Sequence, residues 1–123
     1  ASPLGAFFPI PHGVVCGALL AAATDINVQA LRNRTPCSPA LIKYAKIGRL
    51  LSGESCDDKT AQDRLISFLS DWTHQLQIPR LRDFGVFQND FPKIVANCRG
   101  NSMKTNPILL NDDEVTQLLR QCF

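Results

Sequence analysis

Residues 1–20, ASPLGAFFPIPHGVVCGALL, contain the transition that decides the fold. An irregular segment restricted by three prolines gives way, after Pro11-His12-Gly13, to apolar side chains at the spacing of one helix face. Those side chains are Val14, Val15, Ala18, Leu19 and Ala22. We predict a helix over residues 12–32, with a bend near residues 24–27, where side chains that compete for backbone hydrogen bonds cluster.

His12 is the candidate functional residue of this stretch, because it falls in the first turn of the predicted helix. A neutral imidazole can give a lone pair to a metal or hydrogen-bond a ligand, while its second nitrogen binds an orienting partner. A single histidine at a helix start is more often a satisfied, partly buried side chain. Zinc or ferrous iron needs about three or four protein ligands. The other histidine, His74, belongs to a different helix, and we expect it at the surface or partly buried.

Two more helices are predicted in the middle of the chain. Ser38 and Pro39 form an N-cap and a first helical position, and the helix extends to about residue 51, before Ser52-Gly53. Its predicted apolar face is Leu41, Ala45, Leu50 and Leu51. The next helix covers about residues 59–77 and is capped by Asp57 or Asp58. Its predicted buried stripe is Leu65, Ile66, Leu69, Trp72 and Leu76.

The last third of the chain contains shorter elements. Asp90 caps a short helix that ends near residues 99–100, and residues 100–107 are predicted to be a loop. The final helix begins at Asn111, whose side chain forms a capping box with Glu114. The loop charges Arg80, Arg82 and Asp83 are expected to be solvated. No strand alternation or hairpin turn pair occurs, so we predict an all-α helical bundle.

Length and composition narrow the possible functions. With 123 residues, of which 45% are hydrophobic, the chain makes one domain with a single core. The formal charge of +2 and the lack of a basic patch argue against binding to nucleic acid. The prolines near the start and the absence of a basic leader argue against a membrane span. No Gly-rich dinucleotide motif, P-loop or H-E-x-x-H motif is present.

The five cysteines form an odd set without a C-x-x-C pair, which excludes a complete disulfide framework in a lone monomer. We therefore expect reduced thiols in a cytoplasmic protein. Cys16 is expected to be a small core residue. The only methionine is Met103, so the chain is expected to start at a cleaved, truncated or engineered amino terminus.

The opening stretch resembles the iron-containing, group III alcohol dehydrogenases. That family usually reads His-Pro-Leu-Gly-Ala, an aromatic residue, Pro-His-Gly and then an apolar helix. The matching residues here are Pro3, Leu4, Gly5, Ala6, Phe7, Phe8, Pro11, His12 and Gly13. Two later segments, IPRLRDFGV at residues 78–86 and Thr105-Asn106-Pro107 with the helix that follows, are similar to the family's pattern in the same order. The resemblance covers nearly the whole chain.

Three positions depart from the family's pattern. Ser2 stands where many members have a second histidine, so no catalytic base is expected within this chain. Ala21 replaces a common proline, and Ile108 replaces the arginine that often follows Asn-Pro. The last two changes are compatible with the fold.

The resemblance implies that this chain is the C-terminal helical domain of a two-domain dehydrogenase. An N-terminal α/β domain would hold NAD or NADP, and a divalent metal, iron or zinc, would polarise the alcohol. His12 would be one of four metal ligands, the others lying upstream of Ala1. Pocket roles are expected for Ser2, Leu4, Phe8 and Ser102. The substrate would be an alcohol or aldehyde, the isolated chain would be inactive, and an exposed domain face makes a homodimer a reasonable expectation. The alternative is a free-standing helical interaction module without catalysis.

Overall fold

The computed structural model covers Ala1–Phe123 and contains helices and turns but no strand. The seven α-helices are α1 (Ser2–Phe7), α2 (His12–Arg34), α3 (Pro39–Ser52), α4 (Asp58–Gln75), α5 (Phe91–Asn97), α6 (Asn101–Lys104) and α7 (Asp112–Gln121). Two 3₁₀ turns, Leu81–Phe84 and Gln88–Asp90, separate α4 from α5. The prediction of an all-α bundle is therefore confirmed.

The core of the domain is built around α2. Its buried residues Val15, Ala22, Ile26 and Ala30 pack with residues of α1, the first 3₁₀ turn, α5 and α7. Farther along the same helix, Val28 and Leu31 form a second cluster with Leu41 of α3. Because α2 contacts most of the other elements, it fixes the position of any side chain that it carries.

Helices α3 and α4 form a hairpin whose ends follow the predicted caps. The Ser38 hydroxyl accepts from the backbone NH of Ala40 at 3.3 Å, and Gly53 ends α3 with φ of 68°. Asp57 is the cap of α4 and accepts from the Thr60 NH at 3.3 Å. This hydrogen bonding lowers the pKa of the Asp57 carboxyl. A capping box at Asn111 and Glu114 likewise opens α7.

A buried polar side chain ties this hairpin to α2. Gln62 of α4 donates to the Leu41 carbonyl at 2.9 Å, and its own oxygen accepts from two nitrogens of Arg32 at 3.0 and 2.8 Å. The α3 and α4 backbones approach closely at Gly48, which faces the backbone of Ala61, the residue before Gln62. Gln62 therefore links α2, α3 and α4 through its hydrogen bonds.

Helix α2 is continuous through residues 24–27, where the Thr24 hydroxyl donates to the Leu20 carbonyl and the Asn27 side chain bonds to a distant residue. The bend predicted there stays a prediction. Other local predictions were wrong. Short helices α1 and α6 form where an irregular segment and a loop were expected. Cys16 is exposed, not part of the core.

The predicted apolar faces of α3 and α4 are only partly covered. Leu50 is 80% exposed, Trp72 43% and Leu76 71%. In α4 the fully buried residues are Ala61, Gln62 and Leu65, all in its first half. The periodic apolar pattern therefore extends beyond the part of α4 that other elements bury.

Helix α2 resembles a membrane-spanning helix in length and composition. The helix has 23 residues and a mean hydropathy of 1.6 over its most apolar window, which is long and apolar enough to cross a membrane. The prolines that argued against a span lie before α2 and do not interrupt it, so that argument was wrong. Its buried side chains instead pack inside the helical bundle, which is typical of a core helix.

Candidate functional site

His12 lies in the first turn of α2 and is exposed. Pro11 precedes it at the N-cap, and the buried side chains of Val15 and Ala18 anchor the following turn in the core. The Nε2 atom of His12 lies 3.5 Å from the Sγ of Cys16, one turn farther along the helix. A rigid helix thus presents an imidazole and a thiol on one accessible face.

These two side chains do not make a complete metal site. No group of three or more histidine, cysteine, aspartate or glutamate side chains that could hold a metal ion occurs in the chain. Zinc and iron sites need about three or four protein ligands. The exposed imidazole therefore fits one corner of a metal site, and the other ligands would have to come from outside these 123 residues.

A cleft of about 430 Å³ lies between the start of the chain, one face of α2 and the segment around α6. Ser2 and Ser102, two residues predicted to share a pocket, both line it. Leu19 and Ala23 of α2 form part of its apolar wall, while Asn106 adds a polar side chain. Folding therefore brings together the two serines that the sequence places a hundred residues apart.

A pair of asparagine side chains holds this cleft together. Asn27 donates to the Asn106 Oδ1 at 3.1 Å, and Asn106 donates to the Asn27 Oδ1 at 2.7 Å. Asn106 also donates to the Ile108 carbonyl at 2.7 Å, and Asn27 donates to the Tyr44 hydroxyl at 3.3 Å. Because Asn27 is buried, these bonds satisfy polar groups in the interior and attach the segment that follows Ser102 to α2.

The serine cleft and the His12 face share helix α2. Leu19 and Ala23 of that helix line the cleft. His12 and Cys16, in the first two turns, lie 3.5 Å apart and do not line it.

The other two predicted pocket residues do not line this cleft. Leu4 is only 1% exposed and belongs to the main core, and Phe8 is partly buried against the same core. Their pocket roles stay predictions. Asn27 was not predicted to be a site residue. Its position between the apolar residues Ile26 and Val28 in an apolar helix could have indicated a buried amide with an internal hydrogen-bond partner.

His74 lies on α4 and is exposed, as expected. Its Nδ1 donates to the Ser70 carbonyl at 2.8 Å, one turn earlier in the same helix. It lines neither the serine cleft nor the His12 face. His12 is therefore the one histidine placed to contribute to this candidate site.

These features define an all-α domain whose central helix begins with an exposed histidine. The sequence model described as "Fe-containing alcohol dehydrogenase family, C-terminal" matches residues 1–123. The chain therefore belongs to the Fe-containing alcohol dehydrogenase family and corresponds to its C-terminal domain, which confirms the resemblance.

Individual relatives agree with this assignment. Alcohol dehydrogenase 4 of Schizosaccharomyces pombe is 33% identical over the whole chain, which covers 27% of that protein. The 1,3-propanediol dehydrogenase of Citrobacter freundii is 31% identical, and the chain covers 30% of it. A crystal structure of 1,3-propanediol oxidoreductase superposes with a TM-score of 0.80 at 28% identity, covering 98% of this chain and 30% of that one. The chain thus spans less than a third of these relatives' length.

Proposed function

We propose that this chain is the C-terminal portion of a metal-dependent, NAD(P)-linked alcohol dehydrogenase that oxidises an alcohol to an aldehyde or ketone by hydride transfer. The observation that carries the proposal is the exposed His12 imidazole at the start of the central helix, in a chain of the Fe-containing alcohol dehydrogenase family. Its relatives include an alcohol dehydrogenase and two 1,3-propanediol dehydrogenases.

The role proposed for His12 is to supply one ligand to a divalent metal, iron or zinc, from the rigid end of α2. Such a metal, when bound, supplies a Lewis acid toward an alcohol oxygen, and NAD(P) supplies the hydride acceptor. The core contacts of Val15 hold the first turns of α2 in place, so the imidazole keeps a fixed position and direction. A metal site with one ligand on each of several segments depends on that rigidity.

The serine cleft is proposed to receive part of the substrate or nicotinamide. Ser2 and Ser102 supply hydroxyls that can donate or accept a hydrogen bond, and Leu19 and Ala23 offer apolar contact. The Asn27–Asn106 pair positions the segment that carries Ser102, because it attaches that segment to the core helix. The chain's part in the reaction is thus to hold a metal ligand and to orient a bound molecule.

The test compares His12→Ala with His74→Ala in the intact protein that contains this chain. His74 is a matched control because it is also exposed but lies away from the proposed site. We expect His12→Ala to lose bound metal, measured by inductively coupled plasma mass spectrometry, together with alcohol-dependent reduction of NAD(P). His74→Ala should retain both, and the 123-residue chain alone should be inactive.

Equal metal content in the two variants would refute the role of His12. An intact protein that neither binds metal nor oxidises alcohols would refute the dehydrogenase proposal as a whole. A native product that ends near Ala1 would favour the helical interaction module instead. We also propose a cytoplasmic location, supported by five cysteines that form no disulfide.

A further inference from the structure

A second cleft, of about 440 Å³, lies between α2, α4, the turn at residues 78–83 and the end of α7. The wall formed by α2 includes the small side chains Ala18, Ala21 and Ala22 and ends at Asp25. Ile66 and Ile78 face the cleft from α4 and from the turn. Because the alanines leave room between the helices, the cleft has one apolar wall and the size of a small-molecule site, and its remaining lining is largely polar.

The acidic and basic side chains of this cleft differ in their partners. Asp25 accepts from the side-chain amides of Gln29 and Gln121 at 3.3 and 2.9 Å, and Asp83 accepts from the Arg80 backbone NH at 2.8 Å. The guanidinium groups of Arg80 and Arg82 have no carboxylate partner. Five other arginines each form a salt bridge, namely Arg32, Arg34, Arg49, Arg64 and Arg99. Both arginines of the cleft therefore lack an ionic partner, whereas its two aspartates accept hydrogen bonds from neutral donors and keep their negative charge.

Arg80 and Arg82 are exposed, as expected, and both line the cleft together with the buried Cys122. Burial raises the pKa of the Cys122 thiol to about 11, and the positive charge of Arg80 acts against that rise. Both guanidinium groups are therefore accessible to a molecule that enters the cleft from solvent.

We propose that this cleft binds a small organic anion, with its apolar body against the alanine wall and its carboxylate or phosphate at Arg80 and Arg82. Guanidinium groups bind both kinds of oxyanion through paired hydrogen bonds. His74 lines the same cleft and adds a further polar side chain, while its Nδ1 remains bonded to Ser70. The inference does not rest on the dehydrogenase function, because it requires neither metal nor NAD(P).

The test uses three probes of similar size on the intact protein that contains this chain: benzoate, phenyl phosphate and neutral benzamide. Binding is followed by nuclear magnetic resonance of labelled backbone amides. We expect millimolar concentrations of at least one anion to shift the signals of His74 and Gln121, with benzamide about tenfold weaker or worse. Tighter binding of benzoate would indicate a carboxylate ligand, and tighter binding of phenyl phosphate would indicate a phosphate ester.

Matched variants distinguish binding in this cleft from nonspecific attraction of an anion to positive side chains. The double variant Arg80→Gln/Arg82→Gln should weaken anion binding about tenfold or more. Ala21→Leu should also weaken it, because the larger side chain fills the cleft while both arginines remain. Arg120→Gln is the control, since Arg120 also lacks a carboxylate partner but does not line the cleft. The proposal is overturned if neither anion binds, if benzamide binds equally well, or if Arg120→Gln has the same effect as the double variant.

Discussion

Replacing Gly48 with alanine should destabilise the domain, because the α3 and α4 backbones meet at this glycine. An alanine Cβ at position 48 would lie 1.9 Å from the carbonyl oxygen of Ala61 and 2.7 Å from its carbonyl carbon. The first distance is roughly 1.5 Å short of the 3.4 Å at which ordinary van der Waals contact begins. Because both groups are backbone, no side-chain rotation can relieve the overlap, and the hairpin itself must open.

The expected cost combines two opposing effects. Overpacking of a well-packed interior costs about 1–3 kcal/mol and occasionally more, and a clash between backbones belongs at the upper end. Alanine recovers about 1 kcal/mol of helix propensity relative to glycine. Opening the hairpin would also strain the neighbouring bonds of Gln62 to Leu41 and Arg32. We therefore expect a net loss of about 2 kcal/mol in the free energy of unfolding.

Gly17→Ala is the matched control. Gly17 is also in a helix, but its added Cβ would meet only side-chain atoms of Ile78, at 4.0 Å. This substitution should stabilise the domain by about 0.5–1 kcal/mol, so the two variants should shift in opposite directions. Urea unfolding followed by far-ultraviolet circular dichroism measures both. A Gly48→Ala variant at least as stable as Gly17→Ala would show that the helices are not in contact at this point.

Two further predictions concern buried groups. Asn27→Ala leaves the Asn106 amide without its partner and should lower the free energy of unfolding, measured in urea, by about 2 kcal/mol. Tyr44→Phe keeps the amide pair and should lower it by less than about 1 kcal/mol. Equal losses would contradict the importance of the pair. The pKa of Cys122 is raised to about 11 in the folded chain from 9.0, so its contribution to stability is complete below pH 9 and is lost as the pH rises through 11. About 2–3 kcal/mol should be lost across this range in the wild type, and Cys122→Ala should show a smaller decline; parallel pH profiles would refute this linkage.

Local structure was predictable where side chains bond to nearby backbone. Ser38 with Pro39, and Asn111 with Glu114, define helix starts through contacts between residues that are close in sequence. The position of His12 in the first turn of α2 was also predictable, because Pro11 restricts the preceding backbone and an apolar pattern follows. These features need no knowledge of the rest of the fold.

Burial was less predictable, because an apolar pattern shows which face avoids water but not what covers it. Ala45 is buried and Leu50 is exposed, although both belong to the predicted face of α3. Leu76 is exposed because the packed part of α4 ends before it. The length of a helix follows from its own sequence, whereas the extent of its burial depends on where the neighbouring helices end.

The all-α class, the main helix caps, the position of His12 and the family of the chain could all be read from the amino-acid sequence. Three features required the folded chain: Ser2 and Ser102 line one cleft, Asn27 pairs with Asn106, and Arg80 lines the cleft with the alanine wall. The difference arises from separation along the chain. Helix starts depend on neighbours within a few residues, whereas a cleft exists only after packing has brought separate segments together.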